Sequence, residues 1–228
     1  MLTIDRYRMT KACLENLIAK AGIPREDIRL LILDNGSKDV RTQRYIMDVA
    51  DTAVLVPTNV GVAAGFNKLF SRITDGYICT VGNDIWLEQN WLKDLIDHQE
   101  RIKLSGVSSI HCVLDKGRYT TNLGVFIPPH SIVYGVSLWS NRLMRKIGGF
   151  DERLIGYGCE DSQFAYRAYM TGHINYYIPG QYSYHLGEDQ DQTSEYRKHK
   201  DESLQRNVTK LQETIVQMNK TNNYKIKL

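Results

Sequence analysis

One apolar run, residues 28–33 broken only by Arg29, constrains this chain more than any other feature. Successive side chains of a strand face opposite ways, so a run apolar on both faces belongs inside a parallel sheet covered by helices. Its surroundings agree. Residues 1–4 give a short apolar start, and residues 9–21 follow as an amphipathic helix. There Met9, Cys13 and Leu17 recur every four residues, with Leu14, Ile18 and Ala21 beside them, until Gly22 and Pro24 end the pattern. Residues 53–56 and 76–81 read as further strands, with a helix over 61–73 between them. This strand–helix alternation predicts an α/β domain, its sheet mixed but mainly parallel and flanked by helices.

The second half is less regular. Residues 106–110, 123–127 and 132–138 read as strands, with Pro128-Pro129 between the last two. A helix over 140–147 has Ser140 as its cap and Gly148-Gly149 as its stop. Residues 160–171 form another helix, 174–178 another strand, and from about Asp189 a polar helical tail begins. In that tail Leu204, Val208, Leu211, Ile215 and Met218 follow a 4-3-4-3 spacing. A stripe this short is expected to dock on its own domain, with a homodimer through this helix as the alternative.

Composition sets outer bounds. With 228 residues, 42% of them hydrophobic, the chain can bury one sizeable core. Its apolar runs fall far short of the ~20 residues a membrane span needs, and charged Asp5, Arg6 and Arg8 precede any leader-like stretch. Cys13, Cys79, Cys112 and Cys159 lie far apart, which argues against a disulfide framework or zinc site and for a cytoplasmic location. The net charge of +3 is too small to argue for nucleic acid. The last 34 residues carry eight Lys and Arg against four Asp and Glu, expected as a solvated face.

Ligands of open parallel sheets sit beyond the carboxyl ends of the strands. Three polar motifs follow strands here: Asp5-Arg6, Asp34-Asn35-Gly36-Ser37 and Gly82-Asn83-Asp84. Each alone is explained by turn and cap chemistry; together they predict a nucleotide site at one edge. Asp84 is placed to hold Mn²⁺ or Mg²⁺ against a diphosphate, with His185 able to complete the coordination. Gly156-Tyr157-Gly158-Cys159-Glu160-Asp161 sets two carboxylates at a helix start, where the helix dipole alone favours acids. Its functional reading has one carboxylate accept a proton while the other orients a substrate. Trp139 and Tyr157 are candidates to stack on a sugar, or else core aromatics. Residues 61–65 lack both dinucleotide and P-loop spacing and are expected to serve close helix–sheet packing.

In order and spacing, residues 1–187 resemble the family-2 glycosyltransferases of the GT-A fold. The matching stretches are Leu31-Ile32-Leu33-Asp34-Asn35-Gly36-Ser37, Asn59-Val60-Gly61 through Asn67, Gly82-Asn83-Asp84, and Ile147-Gly148-Gly149-Phe150-Asp151-Glu152 leading to Gly158-Cys159-Glu160-Asp161 and Arg167. The resemblance implies a GT-A domain over 1–188, its nucleotide-sugar half 1–105 and its acceptor half 106–188, with a helical tail over 189–228. It implies a metal-dependent, inverting transfer of a sugar, a UDP-sugar being favoured, to an acceptor hydroxyl. Thr3, Asp5, Arg6, Asp34, Asn67, Asn83 and Asp84 would bind the nucleotide-sugar, and Asp84 with His185 the divalent metal. Asp161 would be the base and Glu160 its acceptor-binding neighbour, with Trp139, Tyr157 and Gly158 on the acceptor side. The chain departs from the family in three places. Gly82 replaces the first acid of the Asp-x-Asp motif, the first strand has almost nothing before it, and Phe66 stands where several members carry Arg. A non-catalytic nucleotide-sugar- or glycan-binding module and a nucleotidyltransferase are the rival readings. For a transferase, the acceptor stays open between glycan, lipid, protein and a modified DNA base.

Overall fold

The apolar run becomes the middle of a parallel sheet, three residues later than its pattern suggests. The computed structural model describes residues 1–102, 106–114, 118–119, 135–186 and 194–227. The expected strand over 123–127, Pro128-Pro129 and the first residues of the 132–138 strand lie outside these. The elements are β1 (Leu2–Thr3), α1 (Tyr7–Ala19), β2 (Leu31–Asn35), α2 (Val40–Val49), β3 (Thr52–Val56), α3 (Val62–Phe70), β4 (Tyr77–Val81) and β5 (Ile85–Leu87). There follow α4 (Trp91–Ile102), β6 (Gly106–Leu114), β7 (Arg118–Tyr119), β8 (Val136–Ser140), α5 (Asn141–Ile147), α6 (Glu160–Met170), β9 (Ile174–His185) and α7 (Ser194–Thr221).

Strands β1, β2 and β3 form one parallel sheet, with Leu2 opposite Leu33 and Leu31 opposite Thr52. All five residues of β2 are buried. Asp34 and Asn35 therefore end the strand rather than begin the turn. The second sheet runs β4-β8-β6-β9-β5, with β7 beside β6. Here only β6 and β9 pair in parallel; the other pairings are antiparallel. The mixed α/β class holds, and parallel pairing is concentrated in the first three strands. One core of Leu14, Ile32, Val81, Ile85, Leu95, Ile110 and Leu138 runs under both sheets and joins them.

Two elements, β5 and α4, were not expected. Three residues are too few to show the alternation of a strand. Helix α4 was legible, since Trp91, Leu92, Leu95 and Gln99 keep one buried face. Helix α1 begins two residues before its apolar pattern, and its N-cap Arg6 makes no side-chain cap.

Local punctuation closes the second half. Ser140 Oγ accepts from the Leu143 N–H at 3.3 Å and starts α5. Gly148 stops α5 in the left-handed region (φ 78°), where a Cβ would meet the Ile226 carbonyl oxygen at 1.6 Å. The segment after α7 thus seats on this glycine, and the Ile226 N–H donates to the Ile147 carbonyl at 2.9 Å. Helix α7 docks on its own domain through Ser203, Asn207, Thr214 and Met218, all buried. Of the apolar stripe only Met218 is buried; Leu211 and Ile215 are half-buried, and Leu204 and Val208 are 39% and 43% exposed. The docking face is rotated by one residue toward the polar side, because the segment it meets offers backbone carbonyls rather than apolar side chains.

Candidate functional site

The carboxyl ends of β1 and β2, neighbours in the parallel sheet, meet the end of β4 from the second sheet, so the three polar motifs come together although they do not leave one sheet as expected. Asp5 and Arg6 both hold left-handed backbone (φ 49° and 56°), uncommon outside glycine, and turn the chain from β1 into α1. Asp5 links that turn to the next strand's loop. Its N–H donates to Ser37 Oγ at 2.6 Å, and its Oδ1 accepts from the Lys38 and Asp39 N–H groups, both at 2.8 Å. Asp34 ties the same loop from below: it accepts from the Ser37 N–H at 3.1 Å and from the Ser37 hydroxyl. Asn83 Nδ2 reaches Thr3 Oγ1 at 3.3 Å and Thr10 Oγ1 at 3.2 Å, which are themselves bonded at 2.9 Å.

Asp84 is the centre of this edge. Its Oδ2 lies 3.4 Å from Arg6 Nη1 and 3.5 Å from His185 Nε2. The antiparallel register explains the histidine, since Ile85 pairs with His185 and the Leu186 N–H donates to the Asp84 carbonyl at 2.7 Å. A carboxylate oxygen and an imidazole nitrogen converging on one point suit Mn²⁺ or Mg²⁺. Among the described residues no group of three His, Cys, Asp or Glu side chains gathers. Gly82, where the first acid is missing, lies tight against this centre: a Cβ there would approach Asp84 Oδ1 to 3.1 Å.

The second cluster, Gly156 to Asp161, is built on α6 and the loop before it. Gly156, Gly158 and Cys159 all have positive φ (85°, 92° and 75°), so the loop folds back on itself before Glu160 opens the helix. The Val62 N–H at the start of α3 donates to the Gly156 carbonyl at 2.9 Å and ties this loop to the donor half. Gly61 permits that approach, since a Cβ there would lie 2.9 Å from Gly156 N. Gly65 permits a second one, against Leu2, which bears out the packing role of residues 61–65. Burial pushes the Glu160 carboxyl above the usual range, and the neighbouring Asp161 pushes it further. Burial also raises Asp161, against the hydrogen bond its Oδ1 accepts from the Ser162 N–H at 2.7 Å. Two proton-accepting groups are thus held at the mouth of one helix.

Three residues expected to touch ligands are placed otherwise. Trp139 is 2% exposed and packs among Phe70, Phe150 and Phe164, so it presents no face to a sugar. Asp34 is 0% exposed and acts on the site through Ser37 and Gln43. Asn67 spends its amide on the Phe150 backbone, accepting at 2.8 Å and donating at 2.9 Å, and on Glu152 at 2.9 Å. It joins α3 to the Gly149-Phe150-Asp151-Glu152 turn. Below that turn Arg167, fully buried, donates to the Ile147 and Gly149 carbonyls. Ser37, part of the predicted motif but given no role of its own there, accepts from the Asp5 N–H and donates to Asp34.

The profile of glycosyl transferase family 2 matches residues 1–174. No curated protein matches the sequence. Among solved structures, Staphylococcus aureus TarS 1–349 superposes with a TM-score of 0.64 at 17% identity, covering 81% of this chain and 58% of that one. A mannosyltransferase from Pyrobaculum calidifontis, solved with GDP-Man and Mn²⁺, gives 0.63 at 17% identity over 83% of this chain and 56% of its own. GalNAc-T7, solved with UDP, GalNAc and Mn²⁺, gives 0.68 at 12% identity over 93% and 46%. This chain therefore spans about half the length of these structures. No helix among its described residues is long and apolar enough to cross a membrane.

Proposed function

We propose, from the premise that this chain belongs to glycosyl transferase family 2, that it transfers a sugar from a nucleotide-diphosphate sugar to an acceptor hydroxyl. The observation that carries this is the pairing of two opposed stations. Asp84, His185 and Arg6 converge at the strand ends, and the Glu160–Asp161 pair stands on a loop bonded to the same half of the molecule. The neighbours solved with UDP-GlcNAc, UDP and GDP-Man support a nucleotide-sugar donor, and we favour a UDP-sugar. Asp84 and His185 are the residues that would hold Mn²⁺ or Mg²⁺, which when bound neutralises the charge building on a departing diphosphate. Arg6 adds fixed positive charge beside them. Thr3, Asp5 and Asn83 border the nucleotide, while Asp34 and Asn67 shape the walls around it.

Asp161 takes the proton of the acceptor hydroxyl as that oxygen bonds to the anomeric carbon. The bond from that carbon to the diphosphate breaks, its electron pair leaving on the phosphate oxygen. Attack opposite the leaving group inverts the centre. Glu160 orients the acceptor, with Tyr157 and Gly158 at its approach. All four cysteines are free thiols, which supports placing the protein in the cytosol.

Thermal shifts with UDP, dTDP, GDP and CMP sugars, each with and without Mn²⁺, test the reading. A metal-dependent rise with one nucleotide is expected, because a ligand that binds only the native state stabilises it. In Asp84→Ala the metal-dependent part should vanish. A chain indifferent to every donor would instead be a glycan-binding module that kept the fold.

A further inference from the structure

We propose that Asn207, on α7 and beyond the residues the family profile matches, is the positioning residue that fixes the acceptor loop and thereby the Glu160–Asp161 pair. The inference rests on the transferase reading above. Asn207 is 0% exposed. Its Nδ2 donates to three backbone carbonyls of one loop, Ile155 at 3.1 Å and Tyr157 and Gly158 at 3.0 Å each. Two N–H groups serve three acceptors, so the loop is wrapped around a single amide. That wrapping needs the positive φ of Gly156 and Gly158, and α7 leaves no room for a side chain at either. A Cβ on Gly156 would meet Ser203 Oγ at 2.7 Å, and one on Gly158 would meet Leu204 at 2.8 Å. From the far side the Val62 N–H holds Gly156. The loop is thus gripped between the first turn of α3 and the middle of α7, and Glu160 follows Gly158 by two residues.

Helix docking alone does not account for this residue. Among the described residues Asn207 Oδ1 has no hydrogen-bond partner, and a buried amide left half satisfied is a costly way to seat a helix. What an apolar side chain could not do is hold three carbonyls in one arrangement. Displacing a reacting group by ~1 Å costs on the order of 10²-fold in rate.

The test compares Asn207→Ala with Thr214→Val, which removes the α7 hydroxyl bonded to Gln163 on α6 but leaves the loop bonds intact. Two readouts are taken on the full chain: amide hydrogen exchange of residues 155–161 without any donor, and nucleotide release from UDP-glucose and UDP-GlcNAc with Mn²⁺ and water as acceptor. Asn207→Ala is expected to speed exchange in 155–161 at least tenfold and lower kcat by at least about tenfold with donor KM unchanged, whereas Thr214→Val stays at wild-type values. If Asn207→Ala does not fold, Asn207→Asp keeps the shape, removes the donors and carries the same expectation. Wild-type loop exchange in the Asn207 variant, or an equal loss in Thr214→Val, overturns the proposal. A wild-type chain that neither binds nor cleaves any donor overturns the transferase reading instead, and loop exchange then decides the role of Asn207 alone.

Discussion

The donor edge and the acceptor loop carry charges of comparable importance but are held in place by different means. On the donor edge, strand ends are stitched directly to one another: Asp5 to Ser37, Lys38 and Asp39 within the parallel sheet, and Asn83 to Thr3 between the two sheets. The sheet does the positioning, and short side chains only finish it. The acceptor loop leaves no strand. It hangs between the Gly148-Gly149 turn and α6, and its shape comes from α3 on one side and α7 on the other. A site can therefore keep one face through its sheet while the other depends on elements far away in sequence.

That contrast can be broken at several points. The largest effect is expected from Asp161→Asn, which should lower turnover by roughly 10²–10⁴-fold while donor affinity, read by calorimetry, stays within about twofold. Equal losses in affinity and turnover would merge the two stations into one. Next comes Arg167→Met, which keeps the aliphatic stem but takes the guanidinium donors from the Ile147 and Gly149 carbonyls, of which Ile147 keeps the Ile226 N–H. A loss of about 1–3 kcal/mol in urea unfolding is expected, for the one carbonyl deprived of its donor. An unchanged midpoint would mean that the turn under the acceptor half supports itself.

The smallest effect concerns pH. Burial raises both Glu160 and Asp161, so each releases its proton at higher pH in the folded chain than in the unfolded one. The native state then holds the extra protons, and their contribution to stability is complete below the unfolded value of about 4 and is lost as pH rises through the raised values. Melting temperature should fall over that window, and the fall should flatten in the Glu160→Gln/Asp161→Asn pair. Turnover should run the opposite way, rising with pH as the base deprotonates.

Much of this was legible in the sequence because it is local. The apolar run of β2, the Ser140 cap and the Gly148 stop each declare themselves within a few residues. The three polar motifs were also readable, since each follows a strand; that the third leaves the other sheet was not. What escaped depends on distance. Asn67 is bonded to a residue 83 positions away, and no spacing within α3 announces it. Trp139 looked as suited to a sugar as to a core, and only Phe70, Phe150 and Phe164 decide between them. The apolar stripe on α7 drew attention to the wrong face, because polar residues were not weighed as docking residues.

That polar face has one more consequence. A helix seated by interchangeable apolar side chains can slide along its axis with little penalty, since one contact replaces another. Here Ser203, Asn207 and Thr214 each meet a specific neighbour outside the helix: Gly156, three carbonyls, and Gln163. A slip of one turn, about 5.4 Å, would strand all of them at once and bring Lys210 and Leu211 toward the loop. The helix admits a single axial setting, so it works as a gauge of length as well as a brace. An insertion or deletion between Ser203 and Thr214 would break that setting.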